Sequence, residues 1–215
     1  MKLTALVVQN TIMLIIISNP TLIANEASLI NAMFDAGMKI FHLRKPGAVI
    51  DELSNLLEDI KPEYHDRIAI HQHHLMAKDF GLKRMHFTEV LRKEMQEEDL
   101  SQLKQSGHIL STSIHQLEEF KKLSACFNYT FFGPVFNSIS KQGYTSAIAN
   151  GFVFPLHYDA PQVIALGGIT ATNLQQAIKM KFDGVAVLGT IWQKPDESIH
   201  RFKAIQKAWK QTGQS

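Results

Sequence analysis

Short apolar segments alternate with helical patterns eight times along this chain of 215 residues, and this alternation most constrains the fold. A strand followed by an amphipathic helix, repeated along a chain, builds a parallel sheet that helices cover. Eight repeats favour a closed barrel over a five- or six-stranded Rossmann sheet, and no GxGxxG follows the first strand. We therefore predict an α/β fold of the (β/α)8 TIM-barrel type. Its strands are expected at residues 13–18, 39–43, 67–70, 84–87, 108–112, 129–132, 163–166 and 185–188.

Apolar residues at helical spacing predict the intervening helices. Ser113 is expected to cap the helix that carries Leu117 and Phe120. Thr172 is expected to cap the helix that follows the seventh strand. The other apolar stripes are Ile23, Ala27, Ile30 and Phe34 before Gly37; Ile50, Leu53, Leu56, Leu57 and Ile60 before Pro62; and Ile199, Phe202, Ile205 and Trp209.

The composition favours one domain over residues 1–215. Hydrophobic residues make up 45% of the chain, and no linker or charge block divides it. The net charge of +2 predicts no general attraction to nucleic acid or membrane. Residues 12–17 are too short an apolar run to span a bilayer, and residues 1–11 are interpreted as an N-terminal extension or an over-long start. The single cysteine, Cys126, fits a reducing compartment, so we expect a cytoplasmic protein.

Glycine-rich turns end the last two predicted strands. Gly167 and Gly168 follow one apolar strand, and Gly189 and Thr190 follow the next. Such turns direct several backbone N–H groups to one side of a sheet, which suits a phosphate. The turns after strands seven and eight of a (β/α)8 barrel are the usual place for a phosphate site. The alternative is that the glycines only permit tight turns between strand and helix.

Basic and aromatic residues mark the ends of two other strands. Alternation along the second strand points His42 and Arg44 to the same side, into the barrel mouth. An inward arginine stays charged and therefore needs an anion, either a ligand or a structural carboxylate. Lys141 lies in the long segment 137–160, where a loop lysine can close over an anion.

Four segments, HLRKPG, FFGPVFNSISK, ALGGIT and GVAVLGTI, resemble the thiamine phosphate synthase and TenI superfamily over about residues 15–191. The resemblance implies a (β/α)8 barrel. It also implies a synthase that joins hydroxymethylpyrimidine diphosphate to thiazole phosphate and releases pyrophosphate, or a TenI-like thiazole tautomerase. In both classes the thiazole phosphate binds at the positions of Gly167, Gly168, Leu188, Gly189 and Thr190.

The resemblance also assigns roles to polar residues of the diphosphate half-site. Arg44 and Lys141 stand at the diphosphate-binding cations, and Ser138 and Ser140 replace two threonines beside Lys141. Ser113 matches a hydroxyl near the pyrimidine, and His42 takes the place of a glutamine that contacts that ring. We therefore expect Arg44, Lys141 and His42 to be catalytic, and His71, Ser113, Ser138 and Ser140 to bind substrate with the glycine turns.

The chain departs from the synthase pattern where Mg²⁺ should bind. His71 and Gln72 replace an Asn-Asp pair, and Leu91 falls near the second aspartate, although a small slip offers Glu89 instead. Pro46 replaces a diphosphate-binding lysine, whereas Pro134 is synthase-like where TenI-type tautomerases carry histidine. Magnesium prefers carboxylate oxygens, so His71, Gln72 and Glu89 are only weak metal candidates.

Two uses of the histidines remain open. A minor alternative is an open Zn²⁺ site formed by His71, His73 and His86. Acid–base chemistry by His42 or His71 on a thiazole ring is favoured over it, because imidazole titrates near neutrality.

Three functions follow from this pattern. The first is a synthase with a degenerate half-site for magnesium and diphosphate, which would use Mg²⁺. The second is a metal-free thiazole-phosphate tautomerase, and the third is a non-catalytic binder of a thiazole phosphate. The expected partners are phosphorylated thiazole and pyrimidine diphosphate molecules, and a homodimer is expected only on general grounds.

Overall fold

Eight parallel strands close into a barrel in the computed structural model, which describes residues 13–137, 151–155 and 161–212. The order around the barrel is the order along the chain, and β1 closes it by pairing with β8. The predicted (β/α)8 fold is therefore confirmed. The strands are β1 Met13–Ile17, β2 Ile40–Leu43, β3 Ile68–Ile70, β4 Arg84–Phe87, β5 Ile109–Ile114, β6 Tyr129–Phe132, β7 Gln162–Leu166 and β8 Gly184–Val187.

Helices and short helical turns connect the strands on the outside of the barrel. Among the described residues, no helix is both long and apolar enough to cross a membrane. The α-helices are α1 Glu26–Asp35, α2 Ile50–Glu58, α3 Met76–Asp79, α4 Glu89–Glu94, α5 Glu97–Gln105, α6 Leu117–Phe120, α7 Leu174–Lys179, α8 Gly189–Trp192 and α9 Ser198–Lys210. Two 3-10 turns cover Pro62–Arg67 and Pro195–Glu197.

Two predicted helix caps are wrong. Ser113 lies within β5, which runs two residues further than expected, and its hydroxyl faces the barrel interior. The following helix is capped instead by Glu119, whose carboxylate accepts the backbone N–H groups of His115 and Gln116. Thr172 pairs its hydroxyl with that of Thr170, and Asn173 is the N-cap of α7.

Two apolar layers build the core, one inside the barrel and one beneath the helices. Alternation along each strand separates them: Ile15 and Ile17 face inward, whereas Ile16 packs against the helices. The interior is apolar beside β1, β6, β7 and β8. It is polar beside β2 to β5, where the inward residues include His42, Arg84, His86, Ser111 and Ser113. This polar half of the barrel supports the candidate site.

Candidate functional site

A cavity of about 400 Å³ opens at the carboxyl ends of the strands. Its floor is partly apolar, with Ile17, Phe131 and Ala186, and its walls are the turns after several strands. This is the face on which (β/α)8 barrels carry their active sites. The predicted site residues that the cavity brings together are Arg44, His71, Ser113, Gly167, Gly168, Leu188, Gly189 and Thr190.

Close packing explains the Gly167-Gly168 pair. Both residues have positive φ, +101° and +66°. A Cβ on Gly167 would lie 2.8 Å from Cα of Pro134, and one on Gly168 would lie 2.6 Å from the carbonyl oxygen of Asn137. No larger residue fits either position, because the loop after β6 lies directly against the turn. The interpretation that these glycines permit a tight turn is therefore correct, and it leaves the anion-binding interpretation intact.

Backbone donors line this corner of the cavity. In the described ranges, no acceptor pairs with the N–H groups of Gly168, Ile169, Gly189 or Thr190. The two turns are held together, since the Thr190 hydroxyl donates to the carbonyl of Ile169 over 2.5 Å. Unpaired amides on adjacent turns are the donors that bind phosphate oxygens.

The close approach at Gly168 can be measured. Gly168→Ala is expected to lower the free energy of unfolding by at least about 2 kcal/mol, because a positive φ and a backbone clash add. Gly81→Ala is the matched control, because Gly81 has a similar φ of +64° and no atom within 4 Å of the added Cβ. Denaturant melts of both variants separate the effect of the close contact at Gly168 from the effect of the positive φ. Equal losses of stability in the two variants would show that the close contact contributes nothing to the loss.

Arg44 is fixed by its backbone at the rim of the cavity. Its N–H donates to the Ser18 hydroxyl over 2.8 Å, and that hydroxyl donates to the Arg44 carbonyl over 2.9 Å. The guanidinium is exposed, and in the part of the chain that the structure describes no carboxylate forms an ion pair with it. Arg44 is therefore a cation in the cavity that can bind an anionic ligand.

Lys45, which the sequence interpretation passed over, is the buried member of this basic pair. Its ammonium lies 2.6 Å from the Glu26 carboxylate and donates to the carbonyl of Thr21. Burial lowers the pKa of Lys45 and raises that of Glu26, and their mutual attraction opposes both shifts. The Gln72 side chain forms two hydrogen bonds with the backbone of Lys45: it accepts the N–H and donates to the carbonyl. This arrangement fixes the loop that carries Arg44.

His42 lies below the cavity and does not line it. The prediction that His42 faces the barrel mouth beside Arg44 is wrong, because His42 lies deeper in the barrel than the cavity. β2 ends at Leu43, so the alternation along the strand does not extend to Arg44. His42 Nδ1 bonds to His71 Nε2 over 2.9 Å, and its Nε2 bonds to the Tyr129 hydroxyl over 2.8 Å. His71 and His86 do reach the cavity. Tyr129 was not anticipated, although a buried tyrosine hydroxyl needs a partner.

The three histidines are uncharged at neutral pH. Burial lowers the pKa of His42 and of His71 well below the ordinary value, and neighbouring cationic groups add to the effect. Burial, with His74 and Arg44, lowers the pKa of His86 to about 3. The floor of the cavity is therefore neutral, and Arg44 at its rim supplies positive charge.

The family's sequence profile, described as Thiamine monophosphate synthase, matches residues 13–191. This chain belongs to that family. A thiamine-phosphate synthase of Anoxybacillus flavithermus is 35% identical over 85 residues, which cover 38% of this chain and 39% of the relative. That match spans about two fifths of the relative's length. Another synthase, from Lysinibacillus sphaericus, is 21% identical over 183 residues, 80% of this chain and 84% of the relative.

A solved structure supports the same assignment. Thiamine phosphate pyrophosphorylase from Bacteroides thetaiotaomicron superimposes with a TM-score of 0.69 at 27% identity, covering 92% of this chain and 97% of that one. The thiamine phosphate synthase resemblance of the four motifs is thereby confirmed.

The residues at the family's magnesium position do not fit Mg²⁺. The Gln72 amide is occupied with the backbone of Lys45, and the Leu91 side chain carries no oxygen. Glu89 lines the cavity, but its carboxylate lies 2.5 Å from the Lys93 ammonium. Since Mg²⁺ binds through carboxylates and water, a neutral amide and one ion-paired carboxylate are a poor set.

A three-histidine metal centre has a different obstacle. His42, His71 and His86 each place a nitrogen within 4.8 Å of the others, whereas His73 is exposed and bonds to the carbonyl of Ala48. Both nitrogens of His42 and of His86 already have hydrogen-bond partners. The rings of His71 and His86 stack with centroids 4.0 Å apart, so their in-plane lone pairs do not converge on one point. A hydrogen-bond network accounts for this geometry better than a metal.

Three predicted residues have no structural outcome. Ser138, Ser140 and Lys141 lie outside the described residues, as does the segment 1–11. Their assignment to the diphosphate and to an N-terminal extension stays a prediction.

Proposed function

We propose that this family member is an enzyme of thiamine biosynthesis that joins a pyrimidine diphosphate to a thiazole phosphate and releases pyrophosphate. The observation that carries the proposal is one cavity with two anion-binding features, the amides of the glycine turns and the Arg44 guanidinium, which have no acceptor and no carboxylate partner among the described residues. Two anionic substrates require two such positions. The glycine turns would hold the thiazole phosphate, and Arg44 would hold the diphosphate.

The chain's own groups supply the chemistry of bond cleavage. As the bond between the pyrimidine methylene and the diphosphate breaks, negative charge gathers on the leaving oxygens, and the methylene carbon forms its new bond to the thiazole. The Arg44 guanidinium can donate two parallel hydrogen bonds to those oxygens. Lys141, by its position in the family motif, would add a second cation. The Ser18 contacts hold Arg44 in place before the ligand arrives.

Removing the Arg44 side chain should therefore abolish most of the activity. We expect Arg44→Ala to lower kcat/KM about 10²- to 10³-fold, the loss typical for a group that stabilises charge in the transition state. Lys39→Ala is the control, because Lys39 is an exposed cation directly before β2, at the end opposite Arg44, and lies outside the cavity. Steady-state kinetics with purified proteins provide the measurement, and equal activity in the two variants would contradict the role of Arg44.

The proposal itself is tested by supplying both substrates to the purified protein. Thiamine phosphate should form, and a synthase-deficient strain that requires thiamine should be rescued. Because the magnesium position is poorly built, the reaction should depend on added Mg²⁺ only through the diphosphate substrate. Folded protein that binds thiazole phosphate in calorimetry but makes no product would instead indicate a binder.

A second candidate is proton transfer on a carboxythiazole phosphate, the tautomerase chemistry. His71 favours it, because a neutral imidazole lines the same cavity as the proposed phosphate corner. Metal-free isomerisation that His71→Gln abolishes would support it. His42 would influence that reaction only through His71, since His42 does not reach the cavity.

A further inference from the structure

Gln193 is a cavity residue that the sequence prediction did not include. It directly follows α8 in helical conformation, and it lines the cavity together with Gly189 and Thr190. Its backbone N–H donates to the carbonyl of Gly189 over 3.0 Å, so Gln193 lies one helical turn after the glycine turn. Side chains on a helix lean toward its N-terminal end, which directs the Gln193 amide toward the unpaired N–H groups of Gly189 and Thr190.

Arg201 determines which end of this amide faces the cavity. Arg201 lies on α9, and its Nη1 donates to Gln193 Oε1 over 3.4 Å and to the carbonyl of Thr190 over 3.1 Å. A guanidinium only donates, so the amide oxygen of Gln193 must be the atom that faces it. The other atom, Nε2, has no acceptor among the described residues. Its two N–H bonds are therefore available to an acceptor in the cavity.

The Arg201 guanidinium is itself held in place. Its Nε and Nη2 donate to Glu197 Oε2 over 3.1 and 2.9 Å, and Glu197 directly precedes α9. This ion pair offsets the positive charge of Arg201 on the side away from the cavity. Arg201 therefore acts on the cavity through the orientation of Gln193 and Thr190 more than through its charge.

The corner formed by the two glycine turns binds an anion mainly through neutral donors. The Thr190 hydroxyl already donates to the carbonyl of Ile169. Arg44 is the one lysine or arginine among the described residues that line the cavity, and it follows β2, which β1 separates from β8. An oxyanion at the turns would thus meet backbone N–H groups, to which Gln193 can add two more.

We propose that Gln193 is a further ligand of the oxyanion that the glycine turns bind, and that Arg201 is a positioning residue that acts through Gln193. Gln193 would contact the oxyanion, whereas Arg201 would hold the amide with its NH₂ group toward it. The identification of that oxyanion as the phosphate of a phosphate monoester rests on the proposed function. The role of Gln193 itself can be tested with inorganic phosphate alone.

The Gln193→Glu substitution separates ligand binding from structure. The carboxylate keeps the size of the side chain and faces the Arg201 guanidinium, so the folded protein should be no less stable. It cannot donate and it repels phosphate, so the affinity at the turns should fall at least about 100-fold. Gln193→Ala removes only the donors and should lower the affinity about 10-fold. Gln102→Glu is the control for net charge, because Gln102 is exposed on α5 and lies outside the cavity.

NMR titration with inorganic phosphate measures these affinities, and the backbone amide signals of Gly168 and Gly189 report on the corner itself. The signals should shift alike in the wild-type protein and in Gln102→Glu, at higher phosphate concentration in Gln193→Ala, and not at all in Gln193→Glu over the same range. Equal dissociation constants for the wild-type protein and Gln193→Ala would overturn the role of Gln193. So would a Gln193→Glu protein that titrates like the wild type.

A double-variant cycle tests the role of Arg201. Because Arg201 acts through Gln193, Arg201→Ala should weaken phosphate binding severalfold in the wild-type background and by a smaller factor in the Gln193→Ala background. Arg201→Lys should retain part of the affinity, since an ammonium group can also donate to Gln193 Oε1. No loss in Arg201→Ala, or the same factor in both backgrounds, would overturn the positioning role.

Steady-state kinetics separate this inference from the proposed function. In an active synthase, Gln193→Ala should raise the KM for the thiazole phosphate about 10-fold and leave kcat nearly unchanged, because the phosphate group does not react. Thiamine phosphate formation with an unchanged KM would overturn the inference alone. Phosphate binding that depends on Gln193, in a protein that makes no thiamine phosphate, would contradict the proposed function alone.

Discussion

Acidification from pH 6.5 to pH 5 is expected to destabilise this protein by several kcal/mol. The cause lies in His42, His71 and His86, which are buried inside the barrel and stay neutral there. Each would take up a proton in the unfolded chain below its ordinary pKa of 6.5. The folded barrel cannot accommodate that charge.

The sign follows from the direction of these shifts. A histidine whose folded pKa is lowered stabilises the fold fully above the unfolded pKa, and this stability is lost as the pH falls toward the folded value. For His86 that window runs from 6.5 down to about 3. Within it, each such histidine reduces the free energy of unfolding by about 1.4 kcal/mol per pH unit.

Urea melts at pH 7, 6 and 5 measure the effect. His86→Gln should reduce the slope of the free energy of unfolding against pH by about 1.4 kcal/mol per pH unit. This change in slope is expected whatever the substitution does to stability at pH 7. His200→Gln is the control for the substitution itself, because His200 is exposed on α9. A free energy of unfolding that stays level between pH 7 and pH 5 would show that the buried histidines accept protons in the folded barrel.

The strand positions were predictable because every strand is buried on both faces. Most of these strands appear as apolar runs, whereas β4 and β5 carry inward polar residues, and each of the eight lies within two residues of its predicted ends. The caps of α6 and α7 were not predictable in the same way. Ser113 and Thr172 have suitable side chains, but other contacts engage them. Ser113 makes a tertiary hydrogen bond with His86, and Thr172 makes a local one with Thr170.

The position of a residue along the barrel axis was the other feature that could not be predicted from the sequence. Alternation tells which side of a strand a residue faces, and it placed His42 inside correctly. It gives no information past Leu43, where the strand ends. Arg44 and Lys45 therefore look equivalent in the sequence, although one is exposed and the other has no exposed surface. Only the position of Glu26 in the folded barrel decides between them.

The departures from the family's magnesium pattern have a structural counterpart in this loop. Gln72 both accepts from and donates to the backbone of Lys45, and an ionised carboxylate could not donate. Gln72, which the family resemblance places at a magnesium-binding aspartate, therefore stabilises the loop before Pro46. Under the proposed function a rigid loop matters more, because Arg44 would bind the diphosphate without a well-built metal site.

Among the ion pairs of the described structure, we expect the Glu26–Lys45 pair to lose the most stability when one partner is removed. Both side chains are at most 2% exposed, so Glu26→Ala leaves an ammonium buried without its counter-charge. We expect a loss of about 3–5 kcal/mol in the free energy of unfolding, measured by urea melts at pH 7. Glu197→Ala is the matched control, because the Glu197 carboxylate pairs with Lys194 and Arg201 but is 46% exposed. Its loss should be below about 1 kcal/mol.

A double variant separates the charge from the packing. Glu26→Leu with Lys45→Met replaces the pair by apolar groups of similar volume, so it should recover most of the stability that Glu26→Ala loses. It should not recover pyrophosphate release to the same degree, because the loop that carries Arg44 also depends on the bond from Lys45 to Thr21. If the double variant is as unstable as Glu26→Ala, an uncompensated buried charge is not the cause of the loss. Full activity with full stability would show that the ion pair has no part in positioning Arg44.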